Sequence, residues 1–266
     1  MTPTLLRRAT TAAALCLSVS TLRAQTVDHS EFDRALHAHV RNGLVDYDAF
    51  RKDAGFTSYL KRLATTNPAT LSRSEQLALW INAYNAYTIQ LINNKNERES
   101  IRNVNKSLGF LKFKGPWSEA FAVVGGKTYS LDDIEQRTIR PTFREPRIHF
   151  ALVCAAIGCP PLRSEAYTGA RLEEQLNDQA VKFLTQTPAK NRVDVANKTL
   201  YRSQVFSFSD YMKDFGGSEA AIGKFIARYY PAGPERTLLE SGKFSVVKTD
   251  YDWSLNSIAN ARLVPR

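Results

Sequence analysis

Cys154 and Cys159 pose the first chemical question. They flank Ala155-Ala156-Ile157-Gly158 and are followed by Pro160-Pro161. A thiol nucleophile needs its thiolate form, a base within hydrogen-bond reach, and a third group to orient that base. His149 is the nearest base in the sequence. The run from Ile148 to Val153 reads as a buried strand, on which His149 and Cys154 would face opposite sides, roughly 16 Å apart at ~3.3 Å per residue. Cys159 reaches His149 only if the loop reverses sharply, so a base would have to come from His39 or from an acid elsewhere. In an oxidising compartment two thiols this close can instead pair. A Cys154–Cys159 disulfide pinning the loop is the leading reading, and a reactive Cys154 is its rival.

The second chemical feature lies in LALWINAYNAYTIQLI, residues 77–92, which is apolar on almost every side. A helix with no face suited to water belongs at the centre of a domain. Asn82 and Asn85 lie three residues apart on one face of it, with Tyr84 and Tyr87 beside them. A buried carboxamide left without partners costs on the order of 1–3 kcal/mol per unsatisfied group. Both amides must therefore be paired, either with loop backbone or with a ligand and catalytic groups.

Other site chemistries find little support. His29, His37 and His39 share the first helix, but His37 and His39 are two apart and face different directions. Two cysteines without a following His-x-x-x-His do not make a zinc site. Phosphate loops, Gly-x-Ser-x-Gly elbows and His-Glu-x-x-His helices are absent from the sequence. Asp132, Asp133 and Glu135 read as acids favouring a helix N-terminus. No metal and no cofactor is expected.

These groups must be positioned by mostly helical elements. Helices are expected over 28–41, 48–64, 72–93 with Ser72-Arg73-Ser74-Glu75 as a capping box, 131–140 closed by Pro141, 171–184, near 207–214, and 218–229. Hairpins are expected around Gly125-Gly126 and Asn197-Lys198, with strands over 148–153 and 244–247. Helices outnumber strands without alternating with them, so the fold class is α+β. One domain is expected over 25–266, helix-rich around a small mixed or antiparallel sheet, with the 72–93 helix buried at its centre.

The N-terminus bears on compartment. Arg7-Arg8 precede an apolar and small-residue run from Thr11 to Leu22, which ends at Arg23-Ala24. That is the pattern of a cleavable secretory signal over 1–24, too short for a membrane span. Cleavage near Ala24-Gln25 would deliver a periplasmic or secreted protein without a stable membrane anchor. Arg7, Arg8 and Arg23 contribute three of the +10 formal charge. The remainder is spread out, densest at Lys95, Arg98, Arg102, Lys106, Lys112 and Lys114, and reads as a solvated face. Export makes nucleic acid an unsuitable partner, and a small molecule, peptide or envelope component remains. With 43% hydrophobic and 23% charged residues the chain can bury a sizeable core.

NGLVDYDAF (42–50), LALWINAYNAYTIQLI (77–92), YSLDDIEQRTIR (129–140), RIHFALVCAAIGCPPLR (147–163) and YDWSLN (251–256) resemble successive blocks of the domain of unknown function 547 family. The resemblance implies an uncharacterised domain with no accepted substrate. It also implies that the position of Cys154 is kept where that of Cys159 is not, which favours a role for Cys154 beyond a bridge. Relatives commonly carry His at Gln136, and glutamine cannot act as a base. The leading functional expectation is a binding or accessory domain with a pocket near Asn82, Asn85, Tyr84, His149 and the cysteine loop. Its rival is a thiol hydrolase or acyltransferase using Cys154, for which a papain-like or transglutaminase-like fold offers an analogy.

Overall fold

The Arg73–Asn94 helix begins where Ser72 accepts a hydrogen bond from the Glu75 amide at 3.4 Å, and every residue from Leu77 to Ile89 is buried. The computed structural model describes residues 25–104, 115–208 and 210–263. The expected leader 1–24 and the basic residues Lys106, Lys112 and Lys114 lie outside them. Of the same basic run, Lys95 pairs with Glu119 at 2.7 Å and Arg98 with Asp48 at 2.5 Å, so these two charges are neutralised on the surface.

The larger of two apolar clusters surrounds this helix. Ser30–His39 and Ala54–Thr65 pack against each other and bring Phe32, Phe56 and Tyr59 together, with Phe32 and Tyr59 stacked at 4.9 Å. The helix expected over 48–64 is two helices, Tyr47–Lys52 and Ala54–Thr65. Asp53 divides them because its carboxylate accepts from the Phe56 amide at 2.8 Å and so caps the second. The smaller cluster gathers Phe150, Phe183, Phe206, Phe215, Phe225 and Leu239, between Leu172–Thr185, Glu219–Ala227 and Pro234–Ser241.

The fold is a helix-rich α+β domain, but among the described residues the strands form three small sheets rather than one. Val40–Arg41 pairs with Leu44–Val45, and Ala122–Val124 with Lys127–Tyr129, both antiparallel. Gly125 and Gly126 have φ of +58° and +75°, the turn geometry that a Cβ disfavours. The third sheet is mixed. Thr199–Arg202 is its middle strand, antiparallel to Arg192–Asp194 and parallel to Ser245–Lys248.

Two expected elements take other forms. Ile148–Ala151 is a single helical turn, not a strand, with Ile148, His149 and Phe150 amides donating to Glu145, Pro146 and Arg147 carbonyls. A short apolar run fits a buried helix turn as well as a strand, and here the bonding is local. The strand-based separation of His149 and Cys154 therefore lapses. The helix expected to end at Pro141 continues to Phe143 and closes at Arg144, whose φ is +50°. Pro141, which has no N–H to donate, falls just after the π-helical stretch Asp133–Ile139 passes into the α-helical turn Arg140–Phe143.

Candidate functional site

The amides of the central helix are fully engaged with backbone. Asn82 donates to the Tyr167 carbonyl at 2.7 Å and accepts from the Tyr167 amide at 2.9 Å. Asn85 does the same with two residues of one segment, donating to Ala151 O at 2.9 Å and accepting from Val153 N at 2.9 Å. Each carboxamide thus mimics one rung of a strand pair. Asn85 fixes the extended segment that carries Cys154, while Asn82 fixes a different loop.

Beyond that segment Cys154 and Cys159 stand at disulfide distance, with Cα atoms 6.2 Å apart. The loop between them is held from several sides. Tyr251 places its hydroxyl 3.2 Å from Cys154 Sγ and 3.0 Å from Cys159 Sγ, and burial keeps that phenol protonated. Gly158 permits this approach, since a Cβ there would fall 2.8 Å from the Tyr251 ring. Lys190 Nζ donates to the Cys159 carbonyl at 2.5 Å. Cys159 is fully buried, whereas Cys154 borders open space.

That space is a cleft of about 520 Å³ along the seam between the two apolar clusters. Its walls come from six stretches of the chain: Tyr84 from the central helix, Trp117, Asp132 to Arg137, Cys154, Phe208 with Tyr211, and Trp253. The rings form a continuous wall. Trp253 lies 6.2 Å from Trp117, 5.7 Å from Phe208 and 4.6 Å from Tyr251, centroid to centroid. Clefts with apolar walls and a few polar groups are the usual form of small-ligand sites.

The acidic side of the cleft is built on an irregular helix. Ser130 caps it reciprocally with Asp133, and from Asp133 to Ile139 the backbone is π-helical, the Arg140 amide donating to Glu135 O. Such wide turns are uncommon and cluster at functional sites. Glu135 is buried there with Tyr211 donating to it. Burial pushes the Glu135 carboxyl above the usual carboxylate range, against the opposing pull of His149 and the Tyr211 hydroxyl. Asp132, more exposed, is raised by burial and then by the charge of Asp133.

Behind Glu135 stands His149, stacked on Tyr211 at 4.0 Å. Its Nε2 lies 2.7 Å from Asp214 Oδ2. Burial acts to raise the Asp214 carboxyl, but hydrogen bonds from His149 and Arg140 outweigh it and hold it at about 2. Asp214 is therefore ionised at neutral pH, and the imidazole donates to it through Nε2. Its Nδ1 has no hydrogen-bond partner among the described residues and faces Glu135 Oε1 at 3.9 Å. Arg140 closes the cluster, donating to Asp214 and Asp210 at 2.7 Å each and to Gln136 at 2.5 Å. Gln136 in turn donates to the Tyr211 hydroxyl at 3.2 Å.

The structure brings Tyr84 and Cys154 into the cleft wall and His149 directly behind it, while Asn82 and Asn85 sit in the protein interior behind their backbone partners. The remaining histidines lie in other settings. His39 bonds Asp53 at 2.8 Å, and His29 is buried against the Tyr59 hydroxyl, where burial lowers its ring to about 4. Among the described residues no group of three or more His, Cys, Asp or Glu side chains is arranged to hold a metal ion, and no helix is long and apolar enough to cross a membrane. Sequence reasoning missed Glu135, Tyr211, Asp214 and the rings of Trp117, Phe208 and Trp253. The acids at 132–135 carried the available signal, but their helical position explained them equally well.

The model of the family described as Protein of unknown function, DUF547, matches residues 68–184, and this supports membership of that family. The matched segment holds the central helix, Glu135, His149 and both cysteines, whereas Tyr211, Asp214 and Trp253 lie beyond it. No curated protein and no solved structure matches the chain.

Proposed function

We propose that this is an exported binding or accessory domain that holds a small ligand in the cleft between the aromatic wall and the Asp132–Glu135 helix. The observation that carries this reading is the union, in one cleft, of a continuous aromatic wall with a buried carboxyl that burial pushes above the usual carboxylate range. Aromatic faces supply contact area at low entropic cost, and the acid supplies orientation. Export rests on the leader pattern over 1–24 and agrees with a disulfide, which an oxidising compartment maintains.

The test is a fluorescence titration of Trp117 and Trp253 with a panel of small molecules. Compounds that change the signal should bind at least about tenfold more weakly to Phe208→Ala, about 1.4 kcal/mol of binding energy. A panel in which nothing binds, or in which binding ignores Phe208, would remove the cleft from consideration. Export is checked by sequencing the N-terminus of the protein recovered from the envelope fraction, expected to start at Gln25.

Cys154 in the cleft wall favours one second reading, a thiol hydrolase or acyltransferase active after reduction. Labelling with a thiol reagent separates the two. Sulfurs that react only after reduction and confer no esterase activity leave binding alone, while turnover by the reduced protein that Cys154→Ser abolishes establishes the enzyme.

A further inference from the structure

The charges around the cleft narrow the chemistry of what it can hold. Its neighbouring arginines are each engaged. Arg137 pairs with Asp133 at 2.8 Å, and Arg140 with Asp210 and Asp214. Arg102 lies over Trp253, 5.4 Å from the ring centroid, and Arg140 lies over Tyr211 at 5.0 Å. The protein thus already uses the electron-rich faces of two cleft rings to hold positive charge. Asp132, by contrast, makes no hydrogen bond or ion pair with any described residue. Glu135 beside it is buried, and its backing group His149 leaves Nδ1 without a partner among the described residues.

Resting on the binding reading above, we infer that the cleft takes an organic cation, with its ammonium or guanidinium group at Asp132 and Glu135 and its hydrocarbon body against Trp117, Phe208 and Trp253. Burial and neighbouring acids, Asp133 for Asp132 and Asp132 for Glu135, disfavour both carboxyl groups as anions, and an incoming positive charge relieves them. The same charge is attracted by the ring quadrupoles, by about 0.5–2 kcal/mol for a cation over an aromatic face. A neutral polyol would gain the stacking without relieving the acids. An anion would meet both carboxyl groups at close range.

The experiment uses three probes of one shape and different charge: phenethylamine, 2-phenylethanol and phenylacetate. Each is titrated by calorimetry into the full protein and into Asp132→Asn. Asp132 lies at the surface of the cleft, and the variant should retain the wild-type thermal midpoint. The expected result is that phenethylamine binds the wild type at least about tenfold more tightly than 2-phenylethanol, that phenylacetate binds least, and that Asp132→Asn loses most of the preference. Equal affinity for amine and alcohol, or a preference that survives Asp132→Asn, overturns the cation assignment while leaving a cleft that binds neutral phenyl groups. Tightest binding by phenylacetate overturns it also. Failure of all three probes at millimolar concentration, together with a panel in which nothing binds, overturns this assignment and the binding reading alike.

Discussion

Two polar groupings of the fold are handled in opposite ways. Asn82 and Asn85 sit on a regular α-helix, and each amide gives one hydrogen bond and receives one from loop backbone. Glu135, His149, Tyr211 and Asp214 gather around a π-helical stretch, with one carboxyl held up, another held down to about 2, and an imidazole nitrogen unpaired among the described residues. The first grouping has the character of architecture, because every polar atom it buries is satisfied inside the fold. The second leaves, next to a cleft, a carboxyl pushed upward by burial and a nitrogen without a partner among the described residues. Burial alone does not distinguish function from structure, whereas incomplete satisfaction beside open space does so with a stated physical reason.

The contrast is broken most directly at Asn85. Asn85→Ala leaves Ala151 O and Val153 N without their partner, so urea unfolding should show a loss of about 2–6 kcal/mol at 1–3 kcal/mol per unsatisfied group. A loss below about 1 kcal/mol would show that the amide is not architectural. The cysteine loop tests the same segment from its other end. Replacing both Cys154 and Cys159 by Ser should cost about 2 kcal/mol on the chain-entropy account for so short a loop, read in the same unfolding experiment. An unchanged midpoint would show that Tyr251 and Lys190 hold the loop without the bridge.

Smaller effects of opposite sign are expected within the second grouping. The Asp214 carboxyl lies at about 2 in the fold, against ~3.9 in an unfolded chain, so below pH ~4 the unfolded state binds more protons. Its contribution to stability is present above that value and lost as the pH falls through about 2. Asp214→Asn should flatten the acid limb of a thermal-midpoint profile. Glu135 behaves in reverse. Its folded carboxyl lies above its unfolded value, so the fold binds more protons and stability falls as pH rises through that window. Glu135→Gln should remove this decline and raise the midpoint at neutral pH relative to the wild type. Identical slopes for wild type and variant would show that Glu135 is ionised without penalty.

Much of the framework was legible because it depends on local chemistry. The Ser72 cap, the all-round apolarity of 77–92, the Gly125-Gly126 turn and the pairing of two nearby cysteines are each set by residues close in sequence. The Ile148 segment was misread because its apolar run has no period of its own, and its bonding partners, Pro146 and Asn85, are a turn and a distant helix. The cleft was illegible for a stronger reason. Glu135 meets Tyr211 from 76 residues away, His149 meets Asp214 across 65, and Trp117 meets Trp253 across 253 − 117 = 136.

The sequence by itself determined that a capped apolar helix would form a core, that its two amides would need partners, and that the thiols could bridge. Tertiary structure alone decided which polar groups would be satisfied and which would be left facing open space. The reason is that hydrogen-bond demand belongs to a residue, whereas its fulfilment depends on which distant chain segments the packing of two apolar clusters brings alongside it.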